Sequence, residues 1–104
     1  MPNYLDLTPN EFKQKIQQNS NAKIIDCRTE PELVEYKLDF HLHIDIMKSD
    51  FANKLTNLDK NIEYYIYCRS GSRSAFLCDF MFKLGFKSLY NLQGGVIAWR
   101  EIFN

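Results

Sequence analysis

The chain has 104 residues, enough for one hydrophobic core but not two. Its 13 basic and 13 acidic residues cancel, so no global basic field points to nucleic acid. No apolar run approaches the ~20 residues that span a bilayer, and the start, Met1-Pro2-Asn3-Tyr4-Leu5-Asp6, has neither the basic nor the apolar region of a signal peptide. The three cysteines form no Cys-x-x-Cys pair and no even disulfide framework. Thiols used as reagents suit a reducing compartment, so the expected location is cytoplasmic.

Helices and strands alternate along the chain. Thr8, Pro9 and Glu11 form a capping box that starts a helix, with Phe12 and Ile16 one turn apart on its buried face. Residues 23–27 are a short β-branched run, read as a central strand. Thr29 caps the next helix, and Pro31 sits early in it, where a missing N–H costs little. Residues 43–46 predict a further short strand. Ser49 caps a helix through about residue 58, with Phe51, Leu55 and Leu58 as its apolar stripe. Residues 62–67 predict a strand and residues 74–84 a helix, which Gly85 ends as a C′ glycine. A last strand falls within residues 86–92 and a last helix over residues 96–103. This alternation implies an α/β fold: one domain over residues 1–104, with a mostly parallel sheet flanked by helices on both faces. No repeat, linker or low-complexity segment interrupts it.

The most informative stretch is Tyr64-Tyr65-Ile66-Tyr67-Cys68-Arg69-Ser70-Gly71-Ser72-Arg73-Ser74. It places Cys68 at the carboxyl end of a strand and beside the amino end of a helix. Ligands of open α/β sheets bind outside strand carboxyl ends, and a helix amino terminus offers unpaired N–H groups to an anion. Gly71 permits positive φ, so successive N–H groups turn inward as an anion nest. Arg69 and Arg73 add positive charge. Each influence lowers a cysteine pKa, and the thiolate is the nucleophile. A buried cysteine acting as a small hydrophobe would account for Cys68 but not for the loop that follows it.

The loop Cys68-Arg69-Ser70-Gly71-Ser72-Arg73-Ser74 resembles the active-site loop of the rhodanese-like sulfurtransferases. Ile24-Ile25-Asp26-Cys27-Arg28 resembles that family's early strand with its Asp-x-Arg ending, and Glu30-Pro31-Glu32-Leu33 with Tyr36 resembles the helix after it. Leu92-Gln93-Gly94-Gly95-Val96-Ile97-Ala98-Trp99 resembles the closing Gly-Gly…Ala-Trp segment. In order, these motifs span about residues 5 to 100.

The resemblance implies a persulfide mechanism. Cys68 is the nucleophile that takes a sulfane sulfur from thiosulfate or a persulfide, small or protein-borne, and passes it to a thiol or cyanide. The substrate-binding set is Arg69, Ser70, Gly71, Ser72 and Arg73, with Asp26, Arg28 and Ser74 in support. The N–H groups of residues 69–74 stabilise the anionic sulfur. Arg69 and Arg73 are placed to bind the sulfonate of thiosulfate, although Arg73 reads equally as an anchor from the loop to an acidic side chain. Ser74 reads first as a helix cap. Asp26 and Arg28 read as a structural or orienting ion pair. Trp99 and the Gly94-Gly95 pair read as structural. Cys27 and Cys78 read as buried small residues, with Cys78 placed to face the sheet. No cofactor and no metal are implied.

One segment departs from the family. Where relatives commonly carry Gly-His-Ile-x-Gly-Ala-x-x-Ile-Pro, residues 38–47 read Leu-Asp-Phe-His-Leu-His-Ile-Asp-Ile-Met. Its lost glycines and proline leave the local turn and one pocket wall open. His41 and His43 have no third ligand near them in sequence and read as surface or wall residues. Two other function classes fit the same fold. A cysteine-dependent phosphatase or arsenate reductase uses a similar nest, but such loops usually place five residues between Cys and Arg, against four between Cys68 and Arg73. A non-catalytic binding module needs no cysteine, and Cys68 is intact.

Overall fold

In a computed structural model describing residues 2–103, the strand before Cys68 decides the layering. Tyr64 and Ile66 point to one face of the sheet with Cys68, and Tyr65 and Tyr67 point to the other; all five are buried. A strand buried on both faces belongs at the centre of a parallel sheet. The observed elements are β1 (Leu5–Leu7), α1 (Pro9–Gln17), β2 (Lys23–Asp26), α2 (Glu30–Glu35), β3 (Leu42–His43), a 3-10 turn (Phe51–Leu55), β4 (Glu63–Tyr67), α3 (Ser72–Lys83), β5 (Ser88–Leu92) and α4 (Gly95–Phe103). The five strands are all parallel, in the order β1-β5-β4-β2-β3, so β4 is central.

Two cores cover the sheet. Leu77, Cys78 and Met81 of α3 pack with Leu55 on the Cys68 face. Phe12 of α1 and Val96 of α4 pack on the opposite face against Tyr65, Tyr67 and Leu92. Phe12 meets the Tyr65 ring edge-on at 5.5 Å, and half-buried Trp99 flanks it at 6.3 Å. Cys78 faces the sheet as expected. Thr8 and Glu11 form the predicted capping box, and Gly85 ends α3 with φ +102°.

Three elements differ from the sequence reading. Residues 49–58 give only a 3-10 turn: its N-cap is Asp50 rather than Ser49 and makes no side-chain capping bond, and at its end the Thr56 hydroxyl donates to the Asn53 carbonyl at 2.8 Å. β3 is shorter and earlier than residues 43–46. The β2 ladder ends where the Ile44 N–H reaches the Asp26 carbonyl, and Asp45 turns the chain by accepting the Met47 N–H. β1 went unread because three residues on a sheet edge carry no periodic signal. The atypical segment is held firmly nonetheless. The Ile24 N–H donates to His41 Nδ1 at 2.9 Å, and His43 Nε2 bonds the Arg28 carbonyl at 2.6 Å. His43 thus braces the end of β2 beside the site, whereas His41 braces its start and lines a separate cavity with Lys23 and Tyr64.

Candidate active site

The Cys68 sulfur lies at the carboxyl end of β4, fully buried, with the loop folded over it. The Gly71 N–H donates to Sγ at 3.1 Å and the Ser74 N–H at 3.4 Å. Gly71 holds φ +104° and occupies the N-cap position of α3. The helix therefore starts at Ser72 rather than Ser74, and Ser74 is not its cap. Ser74 sits in the first turn instead, where N–H groups have no helical partner, and its backbone and side chain both face the sulfur. Its hydroxyl is 3.3 Å from Sγ and also contacts the Gly71 carbonyl and Asn91 Oδ1, so three acceptors surround one proton. Asn91, buried on β5, fixes this arrangement by donating to Asp6 at 2.9 Å and to the Gly71 carbonyl at 3.3 Å. The N–H groups of Ser72 and Arg73 have no acceptor among the described residues.

The start of α4 locks the loop from beneath. The Val96 N–H donates to the Cys68 carbonyl at 3.0 Å and the Ile97 N–H to the Arg69 carbonyl at 3.1 Å. A Cβ on Gly95 would lie 2.4 Å from the Arg69 carbonyl oxygen, so only glycine allows this approach. The closing Gly-Gly segment is thus the floor of the nest.

These donors set the charge on Cys68. Its pKa falls to about 4. The largest influence is the neighbouring Cys27 thiol; the Ser74 hydroxyl and the Ser74 and Gly71 N–H groups follow, and together they outweigh burial, which acts upward. The single Cys27 proton is contested between the Cys68 sulfur and the Tyr67 carbonyl, 3.4 Å away. Whichever acceptor it takes, the two loop N–H groups still hold the thiolate. Cys27 itself is pushed far up, by its bond to Cys68, by burial and by the adjacent negative charge. Arginine charge, expected to share in the effect, is not among the leading causes; hydrogen bonding dominates.

The supporting residues act as fasteners. Arg73 makes a two-pronged ion pair with Glu32, each arm 2.8 Å long, and this pair holds Glu32 down at about 2. Glu32 also accepts the Thr29 N–H and hydroxyl, so one carboxylate caps the start of α2 and anchors the loop. The anchoring role is therefore the one seen for Arg73, and its guanidinium is not left free for a sulfonate. Arg28 is buried against Asp26, bonding it through Nε and Nη2, and donates to the Tyr36 carbonyl at 2.6 Å. This pair ties the end of β2 to the end of α2. Arg69, Ser70 and Ser72 are exposed. Arg69 opens onto a cavity of about 290 Å³ whose walls include Arg28, Tyr36, Val96 and Arg100. The Arg100 guanidinium lies over the Tyr36 ring at 4.5 Å. The sequence reading missed Glu32 as the partner of Arg73, and it missed Asn91 and Arg100. Only Glu32 carried a signal, through its place in the capping box.

The rhodanese-like domain model matches residues 8–102. The chain belongs to the rhodanese-like domain family. A candidate sulfurtransferase of Bacillus subtilis, YtwF, is 36% identical over 88 residues, covering 85% of this chain and 82% of that protein. A sulfurtransferase of Allochromatium vinosum is 26% identical over 94 residues, covering 90% and 86%. Among solved structures, a rhodanese-like domain protein from Staphylococcus aureus superposes with a TM-score of 0.79 at 28% identity, covering 91% and 90%. The polysulfide-sulfur transferase homodimer of Wolinella succinogenes gives 0.76 at 25% identity, covering 95% of this chain and 74% of that one. The rhodanese-like fold and the sulfurtransferase class of its named relatives agree with the site's architecture.

Proposed function

We propose that this rhodanese-like chain is a sulfurtransferase that carries sulfur as a Cys68 persulfide. The observation that carries the reading is the Cys68 sulfur at the end of the central strand, approached by the converging N–H groups of Gly71 and Ser74, which favour its thiolate form. In the first half-reaction the thiolate attacks the outer sulfur of thiosulfate or of a persulfide. The old sulfur–sulfur bond breaks, and sulfite or a thiolate leaves with its electron pair. In the second, a thiolate or cyanide attacks the outer sulfur, and Cys68 leaves as the thiolate. A low pKa favours that departure, since weakly basic thiolates are good leaving groups. The N–H groups of Ser72 and Arg73, which have no acceptor among the described residues, are available in the first turn of α3 for the outer sulfur's charge. Arg69 and Arg100 at the cavity mouth suit an anionic donor, or an acceptor thiol that bears a carboxylate.

The phosphatase reading is weaker. Four residues between Cys68 and Arg73 make a small ring of donors, and Arg73 is engaged by Glu32 rather than open to a phosphate. The test compares thiosulfate:cyanide turnover with hydrolysis of an aryl phosphate, in the intact protein and in Cys68→Ser. The proposal expects turnover on thiosulfate alone, abolished by the substitution. Efficient phosphate hydrolysis with no thiosulfate turnover would reverse the assignment, and inactivity on both would favour a binding module.

A further inference from the structure

Cys27 is a thiol the transfer chemistry above does not use, and its position is specific. The register of β2 on β4 pairs Asp26 with Tyr67, and the Cys27 N–H continues the ladder to the Tyr67 carbonyl at 3.1 Å. One step further along the same ladder, Cys27 stands opposite Cys68. Both side chains enter the same core on the α3 face, both are fully buried, and both are free thiols. Neighbouring strands lie about 4.8 Å apart, within the Cα separation of about 4.4–6.8 Å that a disulfide spans. The Cys27 thiol donates to the Tyr67 carbonyl at 3.4 Å, one residue before Cys68 in the same core, while the loop donors reach the Cys68 sulfur from Gly71 and Ser74.

We propose that Cys27 is a resolving thiol that converts the Cys68 persulfide into a Cys27–Cys68 disulfide and releases the outer sulfur as sulfide. The inference rests on the persulfide reading above. The Cys27 sulfur bonds to Cys68 Sγ, and the bond from Cys68 Sγ to the outer sulfur breaks with its electron pair. The Cys27 proton ends on the departing atom, so Cys68–S–S⁻ and Cys27–SH give the disulfide and HS⁻. The sulfane sulfur is reduced to sulfide, and the two cysteine sulfurs are oxidised; no outside oxidant enters. Two equivalents of a small thiol then return the pair to free thiols and leave as their own disulfide. With a thiol acceptor scarce, the chain would act as a sulfide-releasing enzyme rather than a carrier. Loading moves negative charge from Cys68 Sγ to the outer sulfur, which weakens the hydrogen bond and the repulsion that, together with burial, keep Cys27 protonated.

The experiment treats reduced protein at pH 8 with a small excess of thiosulfate, without acceptor, and follows intact mass, non-reducing peptide maps and free sulfide. The chain as it stands should gain one sulfur only transiently. It should settle two hydrogens lighter than the reduced form, with a Cys27–Cys68 cross-linked peptide and about one equivalent of sulfide. Cys27→Val and Cys27→Ala should hold the extra sulfur and release no sulfide, whereas Cys78→Ala should behave like the parent. If the parent keeps a stable extra sulfur with no cross-link, resolution by Cys27 is wrong, while the persulfide reading survives. If no variant gains sulfur, the persulfide reading itself fails. Should the Cys27 variants not fold, the parent's cross-link and sulfide yield decide alone.

Discussion

Replacing Ser74 by alanine is expected to raise the Cys68 pKa from about 4 into the range of about 5–6. The hydroxyl lies 3.3 Å from Sγ, and hydrogen bonds to a charged group contribute about 1.5–3 kcal/mol, where each 1.36 kcal/mol moves a pKa by one. The Ser74 proton is also within reach of Asn91 and the Gly71 carbonyl, which favours the lower part of that rise. At pH 5 the thiolate fraction should fall from about 90% to between about 10% and 50%. The substitution also leaves the buried Asn91 Oδ1 without its donor, costing about 1–3 kcal/mol of stability. The assay is the pH dependence of iodoacetamide labelling, read on the Cys68 peptide so that Cys27 stays in place. An unchanged inflection in Ser74→Ala would show that the hydroxyl points to Asn91 instead. An inflection at or above ~8.5 in the parent would refute the nest as the source of acidity.

Glu32→Gln frees one end of the Arg73 clamp. Both partners are about a quarter exposed, so the stability loss should be about 1–2 kcal/mol by thermal melting, while kcat/KM on thiosulfate drops about tenfold to a hundredfold as the loop loosens. Equal activity in Glu32→Gln would mean the loop keeps its shape without the clamp. Gly95→Ala drives a Cβ into the Arg69 carbonyl at a φ of +60°, and should lower the melting temperature by about 10 °C or more; a wild-type melting temperature would show that the floor is not tight. Stability should also depend on pH through Cys68. Its folded pKa lies below the unfolded value, so folding releases the thiol proton between the two. The contribution is full above about 8.5 and is lost as pH falls toward 4, with a slope of up to about 1.4 kcal/mol per pH unit. Denaturant melts at several pH values should show this slope flattened in Cys68→Ser, and parallel curves for the two proteins would contradict it.

Much of this site was legible because its signals are local. A strand ending at Cys68, a glycine three residues on and a helix behind it dictate where the sulfur and the N–H groups go. Capping boxes at Thr8 and the two-face alternation of residues 64–67 are equally local. What stayed hidden depends on pairings far apart in the chain. Asn91 acts on Gly71 and Ser74 from another strand, and Glu32 reaches Arg73 across 41 residues. Cys27 looked like an ordinary buried cysteine because strand register, not sequence, sets it opposite Cys68. Arg73 illustrates a different limit. An arginine beside a reactive thiol suits an anion or a carboxylate equally well, and only the position of α2 decides between them.

The central claim is that Cys68 accepts a sulfur atom as a persulfide within a nest of N–H donors. The most direct measurement is peptide-resolved mass spectrometry of the Cys27→Val protein after brief thiosulfate treatment at pH 8, with sulfite quantified alongside. The account predicts one added sulfur on the Cys68 peptide for each sulfite released, removed by cyanide as thiocyanate. Sulfite released with no sulfur on Cys68, or sulfur found instead on Cys78, would contradict it.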